Sequence, residues 1–421
     1  MHSPGDAARA MLAAVGALPV ESVSLPDALD RVLAESTVSP LDLPPWDNSA
    51  MDGYAVRSGE LPGAGVDLRI IETIPAGGFP TRPLGAGECA RIFTGAPLPE
   101  GADGVIRQED TTALDGGRVR IEDTRDAGKN VRYRGEDVRR GTEVMEAGTP
   151  LGPAQLGVLA SIGVAQPRVH RQPTVAFLGS GDEIVDLDRA AEVLAGTKIA
   201  SSNTYTLLGM IRRAGAIPLN LGIARDDPAD IRGRLDRLAV PPTARAGRPA
   251  ADLLVTTAGI SVGEHDHMRR VVEEMGGRLD FWRIRMRPGA PVGFGRLRDV
   301  PWIGLPGNPV STMVTFELFV RPVIRKLLGH RRCFRRGVAV RVMEPLRYPA
   351  RLTHFLRVVV TEEDGLVARL TGPQGSGILT SMAKANALLV VPAERDHVAA
   401  GEQLPAILLD EPGHVEEPPF E

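Results

Sequence analysis

Aromatic residues are scarce in this chain of 421 residues, at 4%, with three tryptophans and four tyrosines. Any core must therefore be aliphatic, and the 43% of residues in the AVILMFWYC set excludes an intrinsically disordered chain. Cysteine is nearly absent: Cys89 and Cys333 are too few for a disulfide framework and no CxxC pair appears, which predicts a reducing compartment. No excess of positive charge exists either. Lys plus Arg number 49 against 53 Asp plus Glu, a net charge of -4, which argues against nucleic acid and anionic membrane as partners. A membrane span is also missing: the longest uncharged run, Ala147 to Pro167, holds Pro150, Pro153, Pro167 and four glycines. The opening residues lack the basic start of a leader and read as an amphipathic helix capped by Ser3, with Asp6 in its first turn. Together these features predict a cytoplasmic protein. Lysine is the last scarcity. Lys129, Lys198, Lys326 and Lys384 are its only occurrences, and every other basic residue is arginine, a skew we attribute to genome composition.

What the chain has in abundance is glycine (47) and proline (35). Its length predicts about three domains. Residues 4 to 33 read as helical, and 38 to 56 (VSPLDLPPWDNSAMDGYAV) break into Pro-rich extended chain. Short β-branched runs between Leu68 and Ile121 form a β-rich unit, and residues 135 to 163 end in a Pro-initiated helix that would return to pack on the N-terminal one. After Pro173 strands alternate with helices over 203–214, 228–238 and 266–276, followed by a long helix to 328, the pattern of a parallel, doubly wound sheet. From Gly337 short strands return. The loop at 240–250 and the acidic, Pro-rich tail after Leu409 read as mobile and disordered.

Ligands of an open α/β sheet sit at the carboxyl ends of its strands, and four such ends are Gly-rich here: GSGDE (179–183), TTAGISVGEHDH (256–267), RPGAP (287–291) and LPGNPVS (305–311). A single glycine loop is simply a tight turn, whereas four in one sheet point to an anionic ligand reached by backbone N–H groups. GSGDEI lacks the third glycine of a dinucleotide fingerprint, and no Gly-Lys-Ser/Thr of a P-loop occurs. Carboxylates beside these loops (Asp182, Glu183, Asp266) would repel an anion unless a cation intervenes, and Mg²⁺, which takes carboxylate and phosphate oxygens together, resolves the conflict. Asp226 and Asp227 fit a helix N-cap as well as a site. His265 and His267 lack a third ligand at zinc spacing, and Ser180 and Ser311 have no His/Asp partners for a hydrolase triad. Arg283, Arg285 and Arg287 alternate, which fits a solvated strand face or, for Arg287, a grip on an oxyanion.

NSAMDGYAV (48–56), RIFTGAPLPEGAD (91–103), RGEDVRRGTEV (134–144), GSGDEIV, GISVGEHD, LPGNPVSTMVTFELFVRP (305–322) and GPQGSGILTSMAKANALLVVP (372–392) stand in one order. In that order they resemble the molybdopterin molybdenumtransferase family, which includes the C-terminal domain of gephyrin, from Pro45 to about Leu409. The resemblance implies a multidomain α/β plus β fold: a discontinuous helical domain (1–44 and 136–172), a β-rich domain (45–135), a parallel α/β molybdopterin-binding domain (173–329) and a C-terminal β-barrel-like domain (330–410), with a disordered tail (411–421). It further implies a cytoplasmic homodimer that takes adenylylated molybdopterin and molybdate, cleaves the adenylyl phosphoanhydride with Mg²⁺, and leaves molybdenum on the dithiolene. A molybdopterin adenylyltransferase and recipient molybdoenzymes would be its partners.

Carried over by motif, Asp52, Thr94, Asp137, Glu183 and Asp266 are the residues tied to activity, with Glu183 and Asp266 on the metal. The substrate would meet Ser180, Gly181, Asp182, Ser202, Asn203, Gly259, Ser261, Gly263, Pro306, Gly307 and Asn308. Molybdate would meet Arg287, Pro288, Pro291, Ser311, Arg357 and Ser376. Three departures stand out: Ala290 where the family has a lysine, Ala258 where it has glycine, and Ser202 where it has aspartate. Ala290 opens an alternative, a relative tuned to tungstate or of low activity; a pterin-binding scaffold without catalysis is the other.

Overall fold

The computed structural model describes residues 1–239, 250–258 and 267–410. They fall into two compact units, one made of Met1–Glu21, Asp30–Ala34 and Arg168–Glu421, the other of Ser22–Leu29 and Glu35–Pro167.

The first unit opens with helix α1 (Pro4–Ala13), capped as its sequence predicts by Ser3, whose hydroxyl accepts the Asp6 N–H at 3.1 Å. The helical reading of residues 4 to 33 overshoots. After Ala13 the chain makes only a short strand, Val20–Ser22, and a 3-10 turn, Pro26–Ala28, because Pro19 and Pro26 withhold the N–H groups a continuing helix needs. Ala7, Ala8 and Met11 bury into the core of this unit, against Val323 and Leu327, so α1 belongs with the α/β layers and not with the Pro-initiated helix α2 (Pro153–Ser161) of the other unit.

The second unit is built on a six-stranded sheet of β1 (Gly53–Val56), β2 (Val66–Ile74), β3 (Glu88–Ile92), β4 (Gly104–Arg107), β5 (Thr111–Leu114) and β6 (Arg118–Ile121), in the order β4-β1-β3-β2-β6-β5. Gly53 is obligatory in β1, since a Cβ there would lie 2.0 Å from the Ile106 carbonyl oxygen.

The α/β part of the first unit contains β7 (Thr174–Ser180), α3 (Ser202–Arg213), β8 (Ile217–Ala224), α4 (Pro228–Asp236), β9 (Leu253–Thr257), α5 (His267–Glu274), β10 (Arg278–Phe281), β11 (Gly293–Leu297), β12 (Val300–Leu305), α6 (Pro309–Thr315) and α7 (Arg321–Leu327). Sheet order is β8-β7-β9-β12-β11-β10; the first four strands run parallel, β11 pairs antiparallel with β12, and β10 pairs antiparallel with β11. Every residue of β9 and β12 is buried, as expected of strands covered on both faces. Period-two alternation divides them between two cores. Val175, Phe177, Val255 and Ile303 face α1, α3 and the α6–α7 helix, while Ala176, Leu178, Leu254 and Trp302 face Ile231 and Leu235 of α4 and Val271 of α5. The buried Trp302 indole donates to Thr256 Oγ1 at 3.0 Å.

The long helix expected up to residue 328 is interrupted by a π turn at Phe316–Val320, where the Arg321 N–H reaches back to the Phe316 carbonyl. Pro322 cannot donate at the next position, so the ladder widens there instead of breaking. The strand expected in FWRIRM also differs: Met286–Arg287 pairs with Thr353–His354 in the C-terminal sheet, so the RPGAP loop does not close a strand of the α/β sheet. Buried Ile284 and Met286 alternate with exposed Arg283, Arg285 and Arg287, which is the solvated face.

The C-terminal strands β13 (Gly337–Val342), β14 (Thr353–Glu363), β15 (Gly365–Leu370), β16 (Ala387–Val391) and β17 (Gln403–Leu408) close into a five-stranded barrel, β14 pairing with both β15 and β16. Val340, Val342, Leu356, Val358, Leu389 and Ala406 are among the residues that fill it. Most of the loop at 240–250, and the tail at 411–421, lie outside the described residues.

One buried pair ties the α/β sheet to the chain that enters it. The Asp252 carboxylate accepts the Thr174 N–H at 2.8 Å and Arg171 Nη1 at 2.9 Å, and both partners' side chains are about nine-tenths buried. Removing the carboxylate leaves a buried guanidinium uncompensated, so Asp252→Ala should lower unfolding free energy by about 3 kcal/mol in urea titration. A loss below about 1 kcal/mol would show that the pair is solvated.

Candidate functional site

Three parallel strands end together. β7 finishes in Gly179 and Ser180, β9 in Thr257 and Ala258, and β12 runs into Pro306, Gly307 and Asn308, and these residues line one cleft of about 460 Å³. Ile199, Ala200 and the start of α3 (Ser201, Ser202, Asn203) form another wall, with Glu183 at the edge and Pro291 on the far side. The volume lies in the range of small-molecule sites, and its place at the carboxyl ends of a parallel sheet is where such folds bind ligands.

The lining is mainly apolar and poor in charge, with Glu183 its one charged side chain among the described residues. Ser201 precedes α3 and makes no side-chain cap; its hydroxyl is shared with Thr204 Oγ1 at 2.8 Å. First-turn N–H groups of α3 therefore stay open to a ligand, and the positive end of this helix dipole faces the cleft. Asn203 Nδ2 donates to the Gly307 carbonyl at 2.8 Å, locking the helix start to the β12 turn, while its Oδ1 is buried with no partner among the described residues.

Gly181 explains the sharp exit from β7: its φ is +143°, and a Cβ would sit 3.0 Å from the Glu183 carboxylate oxygens. The turn places Asp182 against Asp226, each accepting the other's backbone N–H, at 3.4 and 3.2 Å. Lys198 donates from Nζ to the Asp182 carbonyl at 2.8 Å, putting one ammonium beside these acids. Of the two aspartates in DDP, Asp227 is the cap of α4, accepting the Asp230 N–H at 3.0 Å, which leaves Asp226 to the glycine loop.

Ser376 reaches the site from the barrel side: its Oγ accepts Asn308 Nδ2 at 3.0 Å and its carbonyl accepts the Val310 N–H at 3.2 Å. Ser311 is buried within α6 and does not line the cleft. Arg287 is exposed, and Pro288 and Gly289 are buried; a Cβ on Gly289 would lie 2.4 Å from Thr315 Cγ2, so this loop is seated directly on α6. Arg357 is placed unlike a ligand-binding arginine. Its side chain is fully buried, with Nε on Ser381 Oγ at 2.9 Å, Nη1 on the Gln374 carbonyl at 3.0 Å, and Nη2 on the Pro373 and Gly375 carbonyls at 3.1 and 3.0 Å. It thereby holds the loop that carries Ser376.

Asp52 and Thr94 meet in the second unit. The Thr94 N–H and hydroxyl both donate to Asp52 Oδ1 at 2.8 Å, and these two bonds, the N–H first, hold the half-buried Asp52 carboxyl below the usual carboxylate range. Asp137 is exposed, with its N–H on the Leu43 carbonyl at 3.0 Å. Gly259, Ser261, Gly263, His265 and Asp266 lie outside the described residues. Among the described residues no three His, Cys, Asp or Glu side chains converge as a metal site, and no helix is long and apolar enough to cross a membrane. Sequence reasoning passed over Ser201, Thr257 and Lys198. The first two sit at a strand-to-helix turn and a strand end, which is the positional signal that could have found them.

Family models cover nearly the whole chain. The MoeA N-terminal region (domain I and II) matches residues 2–163, a Probable molybdopterin binding domain matches 176–326, and the MoeA C-terminal region (domain IV) matches 339–409. A molybdopterin molybdenumtransferase of Haemophilus influenzae is 34% identical over 91% of this chain and 92% of its own length. The chain belongs to the molybdopterin molybdenumtransferase family. A second member, from Nostoc, is 35% identical over 91% of this chain and 87% of its own. A crystal structure of the molybdopterin biosynthesis MoeA protein from Pyrococcus horikoshii covers 97% of this chain and all of its own at 26% identity, with a TM-score of 0.79. The cleft lies within the span of the family's molybdopterin binding domain.

Two outcomes check this site. Thr94→Val removes one of the two donors to Asp52, so the Asp52 carboxyl should titrate higher in NMR, closer to an ordinary aspartate; an unmoved titration would show the N–H suffices. The sign follows from the lowered pKa of the folded state: the stability this contact contributes is present above the unfolded-state pKa and is lost as pH falls through the folded one. Arg357→Met would remove the buried donors that hold the carbonyls of residues 373–375, and should cost on the order of 3 kcal/mol in a thermal melt.

Proposed function

We propose that this protein inserts molybdenum into molybdopterin: it binds adenylylated molybdopterin and molybdate, releases AMP, and leaves molybdenum on the dithiolene sulfurs. The observation that carries the reading is the cleft, which offers uncapped N–H groups of α3 and, among the described residues that line it, one carboxylate, Glu183, in the family's molybdopterin binding segment. An anionic phosphoanhydride suits those N–H groups.

Mg²⁺ fits the donors present. It prefers one or two carboxylates together with substrate phosphates and water, and the exposed Glu183 carboxylate, with Asp266 as its proposed companion, supplies that number. When bound, the ion neutralises charge on the phosphoanhydride oxygens. The chain's own contributions are separate. N–H groups of α3 orient the phosphates, Asn203 fixes α3 to the β12 turn, and Arg357 acts through Ser376, whose hydroxyl is shared with Asn308. Asp52 and Thr94, with Asp137, are proposed to act on the same reaction. We place the protein in the cytoplasm as a homodimer that receives its substrate from a molybdopterin adenylyltransferase and passes its product to molybdoenzymes.

A tungstate-preferring reading is supported by one observation: Ala290 brings no cation to its loop, and its carbonyl is spent on the Ile284 and Val292 N–H groups at 3.0 and 3.1 Å. The deciding experiment supplies adenylylated molybdopterin, Mg²⁺ and either molybdate or tungstate, and follows AMP. Release that needs an oxyanion and stops with EDTA is expected. No release with either oxyanion would leave a binding scaffold. Glu183→Gln should abolish release while pterin binding survives; lost binding would move Glu183 from the metal to substrate docking. Ala290→Lys should tighten molybdate, and an unchanged affinity would locate the oxyanion elsewhere.

A further inference from the structure

Ala258 is the one residue lining the cleft, among those described, that holds a left-handed backbone without being glycine, with φ at +67°. That region disfavours any side chain, because Cβ crowds the neighbouring carbonyl, and such residues persist only where their surroundings dictate them. Here the surroundings are visible. The Ala258 N–H donates to the Leu305 carbonyl at 3.2 Å, which ties the end of β9 to the end of β12 and leaves the methyl group pointing at the β12 turn. Directly opposite is Gly307, where an added Cβ would lie 3.2 Å from Ala258 Cβ and 3.6 Å from its Cα. So the two strand ends approach to the point that only one of the two residues can carry a side chain without adjustment.

From this geometry we infer that the Ala258 methyl group is a depth stop, which fills the space between the β9 and β12 ends and limits how far an anionic ligand enters the cleft. The inference rests on the molybdopterin reading for the identity of that ligand, a pterin phosphoanhydride, though not for the steric contact. Removing the methyl relieves the backbone and opens the floor together, so stability and affinity should rise in one substitution. This pairing separates a depth stop from a merely strained turn, where stability alone would change.

Two measurements test it. In thermal melts, Ala258→Gly should raise the midpoint, and Gly307→Ala should lower it in the unaltered chain but much less in the Ala258→Gly background. Equal losses in both backgrounds would remove the contact between the two positions, and with it the proposal. In calorimetric titration with adenylylated molybdopterin, Ala258→Gly should lower Kd by on the order of tenfold, the worth of a methyl-sized change in a packed pocket. Unchanged Kd with a raised midpoint would overturn the depth stop and leave the functional reading intact. Failure of the unaltered chain to bind the ligand at all would overturn the functional reading and the depth stop with it.

Discussion

The site depends on one constraint: β7, β9 and β12 are covered on both faces, so almost nothing polar can be carried along them. Residues 253–257 and 300–305 are buried without exception, and the polar atoms that do occur, such as Thr256 Oγ1, are matched by a partner like the Trp302 indole. An unpaired polar group there would cost more than a typical hydrogen bond returns. Ligand chemistry is thereby displaced to the strand ends, where the chain leaves the sheet and backbone groups are no longer consumed by ladders. There β7 leads by way of residues 199–203 to α3 on one face, and β12 turns into α6 on that same face, while α5, the next described helix after β9, packs on the other. A cleft opens between the diverging connections. Glycine and proline stand at these exits, at Gly179, Gly181, Pro306 and Gly307, because a chain leaving a buried strand must turn within two or three residues.

Much of this was legible in residue order. TVAFL, DLLVTT and PWIG are apolar runs of strand length, and a run buried on both faces needs no alternation to be recognised. The cap at Ser3 and the barrel strands after Gly337 followed from equally local signals. What residue order hid was partnership. FWRIRM has the alternation of a strand, and Met286–Arg287 is one, but its partner is Thr353–His354 in another sheet, a choice made by contacts sixty-odd residues away. Residues 4 to 33 have helical composition, yet the helix ends at Ala13 and Pro19 and Pro26 keep the chain beyond it from resuming as a long helix, while α1 packs with Val323 and Leu327 at the far end of the α/β segment. Family resemblance assigns Arg357 to molybdate, whereas residue order gives no sign that its donors are spent on the Ser381 hydroxyl and three carbonyls.

Arginine usage separates buried, structural charge from charge left in solvent. A guanidinium offers five donors in a plane, which lets Arg357 serve a hydroxyl and three carbonyls at once while fully buried, a task an ammonium would leave half done. Arg171 does comparable work against Asp252. By contrast Arg283, Arg285 and Arg287 stand in solvent on one edge. The loop after Arg287 is nevertheless rigid in the sense that matters, since Gly289 fits under Thr315 and the Ala290 carbonyl accepts two N–H groups.

Lysine is rare enough that its placement is informative. Lys198 stands one residue before the wall of the cleft, its Nζ on the Asp182 carbonyl. Asp182, Glu183 and Asp226 would otherwise give that rim an uncompensated negative charge, hostile to a phosphoanhydride. The ammonium is anchored by a carbonyl, and its charge acts on the Glu192 carboxylate as well as on this rim. Lys198 therefore sets a cation beside the acids of this rim, and the first turn of α3 next to it carries no side-chain cap.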